Sequence, residues 1–207
     1  MIAIIDYGVG NLFSLCCSLK AVGAEAIVTS DPKEIKDAEK LILPGVGAFR
    51  DAALKLRDTG LGLLVKEEAA KGKMLLGVCL GMQLLFDKSY EYGESEGLSL
   101  VPGEIRPISE SIGKGLKIPH MGWNALERKD HPLFKYLSGP SYVYFVHSYS
   151  AVCPEEYVIA KAEYGSLLTA AAAKGNVLGC QLHPEKSGET GLDILRAFSE
   201  LKEGDLC

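Results

Sequence analysis

Two short motifs carry residues with the makings of covalent catalysis. Cys79 lies in Gly77-Val78-Cys79-Leu80-Gly81, and His183-Pro184-Glu185 follows the apolar run VLGCQL (Val177 to Leu182). A thiol of pKa about 8.5 is only a few per cent ionised at neutral pH, so a cysteine nucleophile needs a base and a favourable position. G-x-C-x-G has the form of the G-x-S-x-G nucleophile elbow with cysteine in place of serine, between a strand and a helix. Glycines two before and two after the cysteine let a sharp turn close without Cβ clashes. A helix over LGMQLLF (Leu80 to Phe86) would aim unpaired N–H groups and its positive dipole end at the sulfur. Proline fixes its own φ and biases the preceding residue toward extended backbone, so His183 and Glu185 project in a related direction. Glu185 can then take the proton of one imidazole nitrogen while the other nitrogen faces the thiol, the logic of nucleophile, base and orienting carboxylate.

Each residue taken alone has a plainer reading. Free cysteine is among the most buried residue types, and Cys79 would serve as a small hydrophobe. His183 would be a solvated turn histidine and Glu185 a surface carboxylate. The catalytic reading requires that the fold bring the two motifs to one place.

The elements that must do so are legible as a rhythm. Continuous apolar runs of strand length, IAIID (Ile2 to Asp6), AIVT (Ala26 to Thr29), KLILP (Lys40 to Pro44) and MLLGV (Met74 to Val78), suit a parallel sheet covered on both faces. Amphipathic helices are predicted between them over Asn11 to Val22, Ala48 to Thr59 and Gly62 to Ala70. This is a βαβ, doubly wound pattern. From Lys88 to Pro119 the composition predicts loops and edge hairpins. Strands follow over Tyr142 to Val152, Tyr157 to Tyr164, Ser166 to Lys174 and Val177 to His183, although TAAAAK in the third is equally compatible with helix. A helix over Gly191 to Glu203 closes the pattern. Ligands of open α/β sheets sit beyond the carboxyl ends of the strands, so the loops after Asp6, Leu43, Val78 and Leu182 are expected on one rim.

At 207 residues one domain, 1–207, is expected, without repeat or linker. A net charge of -5, from 22 Lys+Arg against 27 Asp+Glu, offers no basic stripe for nucleic acid and no polybasic membrane anchor. No apolar stretch is long enough to span a bilayer, and MIAIIDYG lacks the basic region and cleavage site of a signal peptide. A cytoplasmic protein is expected. The six cysteines, Cys16, Cys17, Cys79, Cys153, Cys180 and Cys207, form no CxxC and are expected as free thiols. His120 and His147 are expected in packing or interface roles, and His131 precedes a proline in a polar loop. Leu43-Pro44-Gly45-Val46-Gly47-Ala48-Phe49 is either a tight turn or a backbone surface offering N–H groups to a negative centre beside Cys79. Without a following Gly-Lys-Ser/Thr it is no phosphate loop.

GVCLGMQLLF together with QLHPEKSG resembles the class I, triad glutamine amidotransferases. IDYGVGNL, LPGVGAF, HMGWN (His120 to Asn124) and YFVHSY (Tyr144 to Tyr149) are more narrowly similar to the glutaminase subunits of imidazole glycerol phosphate synthases, in the same order from Ile5 to about Phe198. Cys180 and Leu182 depart from the Val and Phe expected before HPEK, and Leu98-Ser99-Leu100 from the usual Leu-Gly-Leu. The resemblance implies a three-layer, flavodoxin-like α/β fold with a central mostly parallel sheet and added antiparallel strands. It implies that Cys79 attacks the side-chain amide of L-glutamine, that His183 and Glu185 complete the triad, and that the Leu80 and Val46 N–H groups form the oxyanion hole. Gly47, Gln83, Ser148 and Tyr149 would bind glutamine; read from the residues alone, Gln83 is an ordinary helix-surface amide. No cofactor or metal is implied. The partner would be a (β/α)8 barrel cyclase subunit, met as a heterodimer through Asn11, Trp123 and Lys186; Trp123 is equally compatible with core packing and Lys186 with plain surface. Two other readings remain: another class I amidotransferase, such as one serving pyridoxal phosphate synthesis, and a non-catalytic α/β module with Cys79 as a redox sensor.

Overall fold

The computed structural model describes residues 1–206, except the side chains of residues 203 and 206; Cys207, counted among the thiols above, lies outside the described residues. The strands are β1 (Ile2–Ile5), β2 (Ala26–Thr29), β3 (Lys40–Leu43), β4 (Met74–Val78), β5 (Lys88–Ser89), β6 (Ser95–Glu96), β7 (Glu104–Pro107), β8 (His120–Ala125), β9 (Glu127–Arg128), β10 (Tyr142–His147), β11 (Tyr149–Val152), β12 (Val158–Glu163), β13 (Leu167–Lys174) and β14 (Val177–Cys180). The helices are α1 (Leu12–Ala21), α2 (Pro32–Asp37), α3 (Phe49–Asp58), α4 (Leu61–Ala70), α5 (Leu80–Gln83) and α6 (Gly188–Glu200).

Eight strands form the main sheet in the order β2-β1-β3-β4-β14-β13-β12-β9. The pairs from β2 to β14 are parallel, and those from β14 to β9 antiparallel. Buried apolar residues on one face pack against Leu15 and Leu19 of α1 and Ile194, Leu195 and Phe198 of α6. On the other face they pack against Ile35 of α2, Phe49, Ala52 and Leu56 of α3, and Leu64 and Val65 of α4. The result is the expected three-layer α/β architecture, mostly parallel with antiparallel additions. Strands β1 and β4 are buried at every position, which is why they read as continuous apolar runs.

Three expectations change. The predicted strand Tyr142 to Val152 is two strands that part at Ser148: β10 pairs with β8 in a two-stranded ribbon, and β11 pairs with β7 in a four-stranded sheet. Neither strand shares a sheet with the other, so a continuous strand-like run hid a crossover. The helix predicted to run to Phe86 ends at Gln83, where the ladder tightens: Leu85 N–H donates to the Met82 carbonyl at 3.0 Å and Phe86 N–H to the Gln83 carbonyl at 3.2 Å, three residues back rather than four. The Leu84 and Leu85 carbonyls accept from Leu98, Leu100 and Val101 N–H at 2.8 to 3.0 Å. The six-residue α2 was not anticipated, although its start has a signature, with Asp31 accepting from Lys33 N–H at 2.8 Å and Pro32 in the first turn. The segment TAAAAK is strand, and the last long helix begins at Gly188 and ends at Glu200. Among the described residues no helix is long and apolar enough to cross a membrane.

Candidate active site

Cys79 stands at the tip of the turn between β4 and α5 with φ 55° and ψ -112°, backbone angles that cost a non-glycine residue about 1–3 kcal/mol. Its N–H donates to the Cys180 carbonyl at 2.8 Å, which ties this turn to the end of the neighbouring parallel strand. The elbow closes because Gly81 lies directly on the Leu43 carbonyl, where a Cβ would collide. Gly45 opposite it is equally close: a Cβ there would meet Gly81 N at 2.7 Å and the Tyr7 hydroxyl at 2.9 Å. The loops after β1, β3, β4 and β14 therefore meet on one rim, as the sheet topology predicted. The one-turn α5 offers local N–H groups but too short a helix for the dipole expected from Leu80 to Phe86.

His183 follows β14, and its Nδ1–H donates to Glu185 Oε1 at 2.9 Å; the two side chains are 3% and 1% exposed. Glu185 Oε1 also accepts from Asn11 Nδ2 at 3.1 Å, while Oε2 is buried without a partner among the described residues. Burial opposes charge on this carboxyl, but His183, and then Asn11, outweigh it and hold its pKa below the usual value. Burial likewise presses the His183 pKa down; facing Cys79 and Glu185 overcomes it and lifts the imidazole to about 9. His183 thus carries a proton at neutral pH, with Glu185 fixing Nδ1 and the ring facing the sulfur.

Cys79, Leu80, Gln83, Val46, Gly47, Ser148, Tyr149 and His183 line one cavity of about 350 Å³, in the size range of small-molecule sites. All the residues expected to form the triad, oxyanion hole and glutamine site reach this cavity except Glu185, which sits behind His183. A larger groove of about 640 Å³ lies away from it, between α3, α4 and β6, and holds neither cysteine nor histidine. Gln83 is a buried amide rather than a helix-surface one, 5% exposed. Its Nε2 donates to the Tyr149 carbonyl at 3.1 Å and to Gln181 Oε1 at 2.9 Å, so its own carbonyl oxygen is the group left for a ligand.

Several participants had no sequence signal. Glu91, in the turn between β5 and β6, lines the cavity and accepts from Phe49 N–H at 2.5 Å, capping α3 where Ala48 has no capping side chain. Tyr7 is buried, and its hydroxyl donates to the Pro44 carbonyl at 2.7 Å beneath the Gly45 to Gly47 loop. Burial, and then the neighbouring Cys79, push its pKa up, so the hydroxyl keeps the proton it donates. Gln181 is fully buried and its Nε2 reaches Cys79 Sγ at 3.7 Å. His147 also lines the cavity; its Nδ1 donates to the Tyr149 carbonyl at 2.9 Å, and burial lowers its pKa to about 4. His147 Nε2 lies 3.0 Å from His120 Nδ1, and His120 is stacked between Phe145 and Tyr164. The packing expected of His120 is present, whereas His147 belongs to the cavity wall. His131 accepts from Leu133 N–H in its own turn.

Of the expected interface residues, Trp123 is 55% exposed on β8 and edge-on to Tyr144, which excludes core packing. Lys186 is exposed, with Nζ 5.9 Å from the centre of the Tyr144 ring. Asn11 is half-buried and committed to Glu185. Cys16, Cys17, Cys79, Cys153 and Cys180 are free thiols; burial raises Cys153 to about 11 and Cys180 well above its ordinary value. Cys180 and Leu182, the two departures before His183, are both fully buried core residues.

A three-layer sheet that raises a cysteine on a strained turn beside a buried His–Glu pair defines a class. Residues 3–200 match the family model described as glutamine amidotransferase class-I, and the chain belongs to that family. A solved structure described as a glutamine amidotransferase superposes with TM-score 0.75 over 97% of this chain and 100% of its own, at 20% identity, which shows the shared fold. Within the class the chain groups with proteins named imidazole glycerol phosphate synthase subunit HisH. It is 52% identical to that of Bacillus cereus over 98% of this chain and 96% of the relative. It is 53% identical to that of Caldanaerobacter subterraneus subsp. tengcongensis over 97% and 98%, and 48% identical to that of Sulfurimonas denitrificans over 98% and 99%.

Proposed function

We propose that this chain is a single glutaminase domain that hydrolyses L-glutamine to glutamate and ammonia and passes the ammonia to the (β/α)8 barrel cyclase subunit of imidazole glycerol phosphate synthase, in cytoplasmic histidine biosynthesis. The observation that carries the chemistry is the buried His183–Glu185 pair, 2.9 Å apart, opening with Cys79 on one 350 Å³ cavity.

Glutamine enters with its side-chain amide toward Cys79. Its charged end meets the Gly47, Ser148 and Tyr149 backbone, the free Gln83 carbonyl oxygen and the Glu91 carboxylate, which supplies the negative charge an α-ammonium needs. The Cys79 sulfur attacks the amide carbon, and the carbonyl oxygen gains the charge. The N–H groups of Leu80 and Val46 hold that oxyanion; losing one such donor typically costs about 2.7–4 kcal/mol. Collapse of the intermediate breaks the carbon–nitrogen bond, and the proton on His183 leaves with ammonia. His183, now neutral, takes a proton from water as that water attacks the glutamyl thioester. Glutamate departs and the sulfur is restored. Glu185 keeps the ring oriented throughout, and Asn11 keeps Glu185 in place.

Ammonia released into water is lost, which favours release into a docked acceptor. The rim bearing Asn11, Trp123 and Lys186 is the docking face for the barrel, making the working unit a heterodimer. The deciding experiment measures glutamate release by wild-type protein and by Cys79→Ala, each with and without the cognate cyclase. Loss of release with a native circular-dichroism spectrum supports the assignment; unchanged release by Cys79→Ala refutes it. Ultracentrifugation that finds no complex with the cyclase refutes the docking.

A further inference from the structure

We propose that the Gln181 side-chain amide is a hydrogen-bond donor to the Cys79 sulfur whose direction is fixed by a relay that starts at the Tyr149 carbonyl. The relay follows from acceptors that cannot change role. The Tyr149 carbonyl can only accept, so the Gln83 group 3.1 Å from it is the NH2. That NH2 also faces Gln181 at 2.9 Å, so the Gln181 atom there is the carbonyl oxygen. The opposite arm of the Gln181 amide, its Nε2, is then the one 3.7 Å from Sγ, a distance suited to N–H···S.

Gln181 is fully buried immediately after β14, and its backbone N–H donates to the Ala170 carbonyl at 2.8 Å, so the side chain leaves a fixed backbone. Rotating the amide to present oxygen to the sulfur would set its NH2 against the Gln83 NH2. A buried donor favours negative charge on the sulfur over a neutral thiol, and a hydrogen bond to a charged group changes an equilibrium by about 10- to 100-fold. The sulfur is therefore approached from two sides: His183 holds the mobile proton, and Gln181 supplies a fixed dipole that cannot be transferred. Because Tyr149 also borders the glutamine cavity, one carbonyl serves both the substrate wall and the nucleophile.

The proposal rests on the reading of Cys79 as nucleophile, and its test needs neither glutamine nor a partner. Alkylation of Cys79 by iodoacetamide is followed by peptide mass spectrometry in wild type, Gln181→Met, which keeps length without the donor, and Gln181→Glu, which puts an acceptor at the sulfur. The expected result is a rate at pH 7.5 about 10- to 100-fold lower for Gln181→Met and lower still for Gln181→Glu, with the rate–pH profile displaced to higher pH. A merely structural role would lower the melting temperature and leave that profile in place. Alkylation by a folded Gln181→Met within twofold of wild type overturns the proposal. Should neither variant fold, the wild-type Gln181 amide proton resonances must follow the same pH dependence as the alkylation rate, and their indifference to it overturns the proposal equally. A wild-type protein that alkylates as described yet releases no glutamate with its cyclase refutes the glutaminase reading alone.

Discussion

Replacing Glu185 by glutamine removes one charge from the site and almost no volume, which makes it the sharpest probe of how the proposed triad is held. In the wild type, His183 is raised from an ordinary value of 6.5 to about 9 although burial works against its charge. At about 1.4 kcal/mol per pH unit, that gap is about 3 kcal/mol in favour of the imidazolium in the folded protein. The sign follows from linkage: a folded pKa above the unfolded one gives stability that is fully present below about pH 6.5 and lost as pH rises through about 9. In Glu185→Gln the sulfur remains but the carboxylate does not, so the His183 pKa falls and the difference in urea-unfolding free energy between wild type and variant shrinks between pH 6 and pH 9.5. The added amide nitrogen would occupy the place of the unpartnered Oε2, so the variant also carries a penalty of about 1–3 kcal/mol at every pH. Glutamate release should fall on the order of 10²- to 10⁴-fold, as expected when the group that orients a catalytic imidazole is lost. NMR titration of the His183 ring gives the direct reading. If the ring titrates at the same pH in both proteins, or if the stability difference does not depend on pH, the account of Glu185 as the charge that sustains the imidazolium is wrong.

Tyr7→Phe deletes the hydroxyl under the Pro44 carbonyl; a loss of about 1 kcal/mol in urea unfolding and a fall in kcat are expected, and unaltered kcat would separate Tyr7 from the oxyanion loop. Glu91→Gln should raise KM for glutamine by about tenfold or more while kcat changes less, since the lost charge contacts the non-reacting end of the substrate; steady-state kinetics reads the split. Trp123→Ala should change stability by less than about 1 kcal/mol because the ring is 55% exposed, yet weaken cyclase binding by about 2 kcal/mol or more in calorimetry.

Much of this molecule was legible because its parallel strands are short, buried on both faces and therefore continuously apolar. IAIID, AIVT, KLILP and MLLGV each became a strand within a residue of the expected span, and the helices between them did likewise. The proposed triad was legible for a related reason: covalent catalysis restricts residue type, and the glycines flanking Cys79 and the proline between His183 and Glu185 restrict backbone. Where local rules compete with distant partners, the sequence was silent. The helix after Cys79 tightens past Gln83 into bonds reaching three residues back, and the carbonyls of Leu84 and Leu85 meet Leu98, Leu100 and Val101 from a distant segment. The run from Tyr142 to Val152 breaks at Ser148 because its halves find partners in β8 and β7, which no local propensity encodes.

The second tier of the site was hidden by the same physics at side-chain scale. Gln83, read alone, is a helix-surface amide; what buries it is the pair of acceptors offered by Tyr149 and Gln181 from other parts of the chain. Glu91 lies in a turn of an edge hairpin and joins the cavity by capping a helix that begins 42 residues earlier in sequence. Asn11, expected at the surface contact, spends its amide on Glu185 across 174 residues of sequence. Such bonds depend on which acceptors remain free once the sheet is assembled, a property of the whole topology and not of any motif. The distinction has a mechanistic consequence. The proposed nucleophile and base, Cys79 and His183, sit on local turns that form wherever the sheet forms. The groups that orient them hang on long-range bonds from the β1–α1 loop, the edge hairpin and the Ser148 crossover. Perturbing those three segments should therefore alter rate and binding before it alters the fold.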